Sequence, residues 1–177
     1  MNILRQWGGK MYRFVISDLH FGHDNCYKFL NRDGSKMRPF ENSEEADAEM
    51  IKRWNSVVAK DDKVYVLGDI CFKNQALKKI GLLNGTKILI RGNHDNLKAK
   101  EYLRYFSDVR SYKVYDKYIL SHIPIHPQEL SRYKGNIHGH LHSGIIQDPH
   151  YLNVCVEHLN YTPIKLGEAI RRIEHGL

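Results

Sequence analysis

The chain has 177 residues, enough for one domain with a substantial core. With 42% hydrophobic and 27% charged residues it has a globular composition, which argues against a disordered or fibrous chain, and no apolar run is long enough to span a membrane. The net charge of +7 suits a phosphate-rich partner, yet Lys and Arg form no run of five, so a solvated basic surface is the simpler reading.

Residues 1–10 lack the apolar core of a signal peptide and read as a leader or short extension, with Met11 as an alternative start and the domain over 11–177. Met11 to Ser17 is an apolar strand running into Asp18-Leu19-His20. In extended chain, residues i and i+2 share a face, so Asp18 and His20 could address one ion. Phe21-Gly22-His23 then turns into a short helix near Asn25 to Leu30, with His23 a candidate for the rim of a site. The polar loop from Asn31 to Phe40 holds Arg38-Pro39-Phe40, where Arg38 either binds a phosphate or fixes the loop.

Ser43 is the expected N-cap of a helix to about Ala59, with Ala46, Met50, Ile51, Trp54, Val57 and Val58 on its core face. Val64 to Leu67 is a strand ending in Gly68-Asp69. Gln75 to Leu83 reads as a helix closed by Asn84-Gly85. Thr86 to Ile90 is a third strand, ending in Arg91-Gly92-Asn93-His94-Asp95, and Leu97 to Phe106 reads as helical. Val109 to Tyr115 and Tyr118 to Ser121 look like a hairpin turning at Asp116-Lys117, with His122 directly after it. Asn136 to Gly139 is a strand that opens His138-Gly139-His140-Leu141-His142. Leu152 to Val156 is another strand, Asn160 to Pro163 a turn, and Leu166 to Ile173 an amphipathic helix. Alternating strands and helices followed by a strand-rich half predict an α/β domain with a mixed sheet.

Five apolar strands thus end in Asp, His or Asn, the oxygen and nitrogen ligands that suit divalent metals. Open α/β sheets bind ligands at these carboxyl ends. Cys26, Cys71 and Cys155 are odd in number and include no Cys-x-x-Cys, which points to a reducing, cytoplasmic setting rather than a disulfide framework.

The ordered blocks Asp18-x-His20, Gly68-Asp69, Gly92-Asn93-His94-Asp95, His122 and Gly139-His140-x-His142 resemble the calcineurin-like metallophosphoesterase superfamily, in its small single-domain bacterial or phage type. The resemblance runs from about Tyr12 to Pro163. It implies a four-layer αββα sandwich of two mixed β-sheets flanked by helices. It also implies two divalent transition-metal ions (Mn, Fe, Zn, Ni or Co), with manganese the ion to add first in assays. By the family pattern Asp69 bridges the ions. Asp18, His20 and His142 complete one, and Asn93, His122 and His140 the other. Alternation in an extended segment fits His140 and His142 serving one ion each. A metal-bridging hydroxide would attack phosphorus, His94 would protonate the leaving oxygen, and Asp95 would orient His94. His126, His138, His150, His158 and His175 have no motif behind them.

Larger protein phosphatases of the superfamily carry Gly-Asp-x-Val-Asp-Arg-Gly, whereas this chain has Gly68-Asp69-Ile70-Cys71-Phe72. The phosphate-holding arginine is missing; Arg91 either substitutes or packs beneath its loop. The expectation is a metal-dependent phosphoesterase acting on phosphodiester or phosphomonoester bonds of a small or nucleotide-type substrate. The alternatives are a DNA or RNA nuclease, with nucleic acid as partner, and a catalytically silent, metal-stabilised binding protein.

Overall fold

The computed structural model describes residues 10–31 and 33–176, so the leader expected over residues 1–10 lies, but for Lys10, outside the described residues. β1 (Arg13–Ile16), β2 (Lys63–Val66), β3 (Thr86–Ile90) and β4 (Asp108–Arg110) form a parallel ladder in spatial order β4-β3-β2-β1. A second sheet holds β5 (Tyr112–Tyr115), β6 (Tyr118–Ser121), β7 (Gly135–His138) and β8 (Tyr151–Asn153) in sequential order, and β9 (Ile164–Lys165) returns antiparallel to β1. In the second sheet β5 and β6 are antiparallel, while β6, β7 and β8 run parallel. Both sheets are therefore mixed, as the resemblance implies.

After their first residues the central strands are largely apolar because they are covered on both faces. Phe14, Val15 and Ile16 of β1 and Val64, Tyr65 and Val66 of β2 are all buried, as are Leu89 and Ile90 of β3. The expected hairpin divides differently. Asp116 and Lys117 both take positive φ (46° and 67°), which matches the strand twist in a two-residue turn between β5 and β6. Val109, however, belongs to β4 and pairs in the other sheet. Ser111 is where the chain crosses over.

α1 (Ser43–Val57) begins one residue from the expected cap: Asn42 accepts the N–H of Glu45 at 3.0 Å. Its buried face carries Ala46, Asp47, Met50 and Trp54, and Trp54 Nε1 donates to the Asn84 carbonyl at 3.0 Å. Asp47 was not expected inside. It accepts from the Gly22 N–H at 2.9 Å and from Lys79, tying the helix to the loop after β1 and to the segment after β2. Three expected helices are shorter or tighter than read. Only Asp24–Tyr27 forms a 3-10 turn near 25–30, Asn74–Leu82 is 3-10 rather than α, and α2 is the single turn Ala99–Tyr102. α3 (Leu166–His175) packs on β1, β8 and β9 and closes at Gly176, whose φ of 64° suits glycine.

Beyond the strands the backbone ladder continues. Asp18 N donates to Gly68 O (3.1 Å), His20 N to Asp69 O (3.0 Å), and Gly139 N to His122 O (2.9 Å). Ser17 joins the sheets, donating its N–H to Val154 O (2.9 Å) and accepting from Val156 N (3.1 Å). Strand ends from both sheets are thereby drawn to one place.

Candidate metal centre

At that place the backbone leaves extended geometry. Asp18, His20, Asp69, His140 and His142 have φ of 61°, 49°, 53°, 70° and 49°. Left-handed non-glycine residues cost about 1–3 kcal/mol each and cluster at functional sites. This corrects the sequence reading of Asp18/His20 and of His140/His142 as partners on one face of extended chain. Each pair converges because both residues are kinked, and β7 has already ended at His138.

The motif glycines are places where backbone passes a candidate ligand. A Cβ on Gly92 would stand 2.2 Å from Asp69 Oδ1, and one on Gly139 would stand 2.0 Å from Ser17 Oγ and 2.4 Å from Asp18 Oδ2. No side chain fits there.

Two groups of ligating atoms lie within 4.8 Å of one another: Asp18, His20 and His142, and Asp18, Asp69 and His122. His20 Nε2 is 3.5 Å from Asp18 Oδ1 and 3.7 Å from Asp69 Oδ2. His122 Nε2 is 3.5 Å from the same Asp69 oxygen and 2.9 Å from Asn93 Oδ1. The Asp69 oxygen therefore faces both histidines. His140 enters neither group; its ring centroid is 5.1 Å from that of His122, and its N–H donates to Asp18 Oδ2 at 2.9 Å.

The hydrogen bonds leave specific atoms free. Asp18 Oδ2 accepts from Ser17 Oγ (2.6 Å), His140 N (2.9 Å) and Cys155 Sγ (3.1 Å). Asp18 Oδ1, turned to His20 and His142, has no partner, and neither ring nitrogen of buried His20 has one. Buried polar atoms are normally satisfied. A divalent cation is the ligand that such an oxygen and nitrogen set fits. The rings of His122 and His142 are also held in fixed orientations. His122 Nδ1 bonds the Leu67 carbonyl (2.7 Å) and His142 Nδ1 the Glu157 carboxylate (3.1 Å), which leaves each Nε2 facing the carboxylates.

Burial alone would raise Asp18, but the His20 imidazole 3.5 Å away and the nearby imidazoles of His122 and His142 hold its carboxyl well below the usual range. Asp69 is also lowered: burial would raise it, but the His122 imidazole and the N–H of His94 together outweigh burial. Burial pushes His20 down. His142 also faces Asp18 but shifts upward against burial, because Glu157 is its hydrogen-bond partner.

The remaining expected site residues divide by exposure. His94 is exposed, with its N–H on Asp69 Oδ1 (2.9 Å) and its ring 4.4 Å from Phe72. Asp95 does not orient it. Asp95 is 1% exposed and accepts from Gly92 N (2.8 Å), Asp69 N (2.9 Å) and Ile70 N (3.1 Å), so both oxygens are committed to backbone. Arg38 is 0% exposed, donating to the carbonyls of Asp18 (2.7 Å) and Leu19 (3.2 Å) and to Glu157 (2.9 Å). Of the two roles read for it, the structural one is what this geometry allows. Arg91 packs beneath its loop: the guanidinium lies over Tyr102 and donates to the carbonyls of Asp95 and Leu97. His23 is half-buried at the rim, its ring 4.0 Å from Phe72 and its Nδ1 2.8 Å from Cys26 Sγ.

Sequence reasoning missed Phe72 and Glu157. Phe72 is 43% exposed and packs against His20, His23 and His94. An aromatic in the loop after Gly68-Asp69 was its only signal. Glu157, a carboxylate just past an apolar strand, carried none. His138 is buried and bonds the Gly139 carbonyl at 2.9 Å, and burial pushes it down to about 4.

A model of the calcineurin-like phosphoesterase family matches residues 11–163. The chain belongs to that family. An uncharacterized protein from Methanocaldococcus jannaschii is 38% identical over 174 residues, covering 92% of each chain. The gene 66 protein of Mycobacterium phage L5 is 42% identical over 87 residues, 46% of this chain and 39% of the phage protein. A protein of unknown function from Aquifex aeolicus, solved by crystallography, superposes with a TM-score of 0.66 at 26% identity, covering 92% of this chain and 99% of that one. Among the described residues no helix is long and apolar enough to cross a membrane.

Proposed function

We propose that this family member is a two-metal phosphoesterase that hydrolyses phosphodiester or phosphomonoester bonds of a small or nucleotide-type substrate. The observation that carries the proposal is the set of buried atoms without partners, Asp18 Oδ1 and both His20 nitrogens, beside an Asp69 oxygen that faces His20 and His122. Bound divalent ions would supply Lewis acidity toward the phosphoryl oxygens and an activated water for in-line attack. In the proposed set Asp69 serves both ions, Asp18, His20 and His142 serve one, and Asn93, His122 and His140 the other.

The chain's own residues do the rest. His94 is tethered by its backbone to Asp69 and leaves its imidazole open at the mouth, where it would protonate the leaving oxygen. Phe72 walls the mouth beside it. Asp95 fixes the backbone of both the Gly92 and the Asp69 loops, and Glu157 holds His142. Free, buried cysteines support a reducing, cytoplasmic setting.

The test is an assay panel with added Mn²⁺: an aryl phosphodiester, an aryl phosphomonoester, cyclic nucleotides and single-stranded DNA. Turnover of a small ester that stops with chelator and returns with metal is the expected result. Cleavage of DNA alone would make the protein a nuclease. No turnover by a fully metal-loaded protein would make it a binding protein.

A further inference from the structure

The rim beside this centre holds a third group of ligating side chains, of which the proposed two-ion centre uses only His20. Asp24–Tyr27 makes one 3-10 turn directly after His23 and folds Cys26 back toward His20. One ligand atom each from His20, His23 and Cys26 lie within 4.8 Å of one another. Cys26 is 2% exposed and forms no disulfide.

His20 is the anomaly. A histidine that ligates through one nitrogen nearly always donates its other N–H to a carboxylate, carbonyl or water. His122 and His142 each have such a partner. His20 does not: Nε2 faces Asp18 and Asp69, and Nδ1 is buried with no hydrogen-bond partner. Among the described residues, the ligating groups that close on His20 outside the first centre are His23 and Cys26. A thiol and two imidazoles, one of them with an orphaned nitrogen, are the donors that a borderline-soft ion selects.

We propose that His20, His23 and Cys26 form a third cation site, adjoining the two-ion centre and sharing His20 with it, that takes a thiophilic ion such as Zn²⁺ or Co²⁺. Binding needs no oxidant. The ion enters, Cys26 gives its S–H proton to solvent, and His20 gives up the Nδ1 proton where Nε2 is also ligated. Tetrahedral ligation sets sulfur and nitrogen about 3.5 Å apart. His23 Nδ1 and Cys26 Sγ are at 2.8 Å, so the ion would open that pair by a fraction of an ångström. A fourth position stays open at the rim beside Phe72, where a substrate oxygen or water completes the shell. The rival explanation is a plain S–H···N hydrogen bond between Cys26 and His23.

The site rests on the proposed two-ion centre only through His20. The experiment is a Co²⁺ titration of the chelator-stripped, full-length protein under anaerobic conditions. It is read by near-ultraviolet thiolate-to-cobalt charge transfer and by metal content from mass spectrometry. The expected result is a charge-transfer band that Cys26→Ser and His23→Ala both abolish, each with loss of one ion while the others stay. Should Cys26→Ser fail to fold by circular dichroism, His23→Ala carries the test. Saturation of the wild type without a thiolate band overturns the proposal, as does a band of full strength in His23→Ala. Asp69→Asn separates the two readings. A band that persists there while the remaining ions are lost leaves both standing. A band in a wild type that binds no other ion keeps this site and removes the two-ion centre.

Discussion

The loop after β1 and the loop after β3 each bury a carboxylate at a strand end, and the two do opposite work. Asp18 gives one oxygen to Ser17, His140 and Cys155 and keeps the other free. Asp95 spends both oxygens on three backbone N–H groups. Their acidities diverge accordingly. Burial raises both, but in Asp18 the neighbouring imidazoles of His20, His122 and His142 win, whereas in Asp95 burial wins over the backbone donors. Both residues sit in motifs that the resemblance marks as functional. What separates a carboxylate that can hold a cation from one that holds a loop is which donors reach it first.

Paired isosteric variants press hardest on that difference. Asp18→Asn should stay folded and lose metal, with activity falling further than the roughly 100-fold typical of an outer-shell change. Asp95→Asn presents one oxygen and one NH₂ to three N–H groups. It should cost on the order of 3 kcal/mol of stability, because buried donors are left unmatched. Metal content by mass spectrometry beside urea unfolding separates the two. Asp95→Asn with full stability and missing metal would place Asp95 among the ligands and end the contrast.

His94 occupies the same loop as Asp95 with the opposite exposure, and its variant sharpens the comparison. His94→Asn should keep metal and fold and slow esters with poor leaving groups by roughly 10²–10⁴. A nitrophenyl ester, whose leaving group needs little protonation, should lose less. Equal losses on both esters with metal intact would assign His94 to holding the phosphoryl group instead of donating a proton.

The strand ends were legible because their chemistry is local. An apolar run followed by Gly-Asn-His-Asp or Gly-His-x-His names both the strand and its donors. The kinks were not legible. Left-handed Asp18 and His20 go with hydrogen bonds to Gly68 and Asp69 in the loop after β2, and no residue near them in sequence announces that. Asp95 was misread for the same reason: its donors include the N–H groups of Asp69 and Ile70, about 25 residues away. Arg38 and Glu157 are 119 residues apart, so their pairing is a product of the fold alone. Helical periodicity identified α1 and α3 and placed the helix near 75, which is 3-10 in form, but overextended the segments near 25 and 97, which make one 3-10 turn and one α-turn.

The smallest expected effect extends the comparison to a third carboxylate, between the other two in kind. Glu157 is held chiefly by other side chains. Its Oε1 is shared by Arg38 Nε (2.9 Å) and His142 Nδ1 (3.1 Å), and burial, which would raise it, is outweighed by the Arg38 guanidinium and the His142 hydrogen bond. Glu157→Gln keeps the shape and the accepting oxygen but removes the charge that makes His142 Nε2 a stronger donor. Such outer-shell changes cost about 10–100-fold in metal affinity. The expected outcome is weaker binding of the ion proposed for Asp18, His20 and His142, with activity recovered at higher Mn²⁺. Asp18→Asn should show no such recovery, since added metal cannot replace a missing ligand. Competition with a chromophoric chelator measures the affinity, and activity against Mn²⁺ concentration measures the rescue. Unchanged affinity in Glu157→Gln would mean that Arg38 and Glu157 position the loop after β1 without tuning His142.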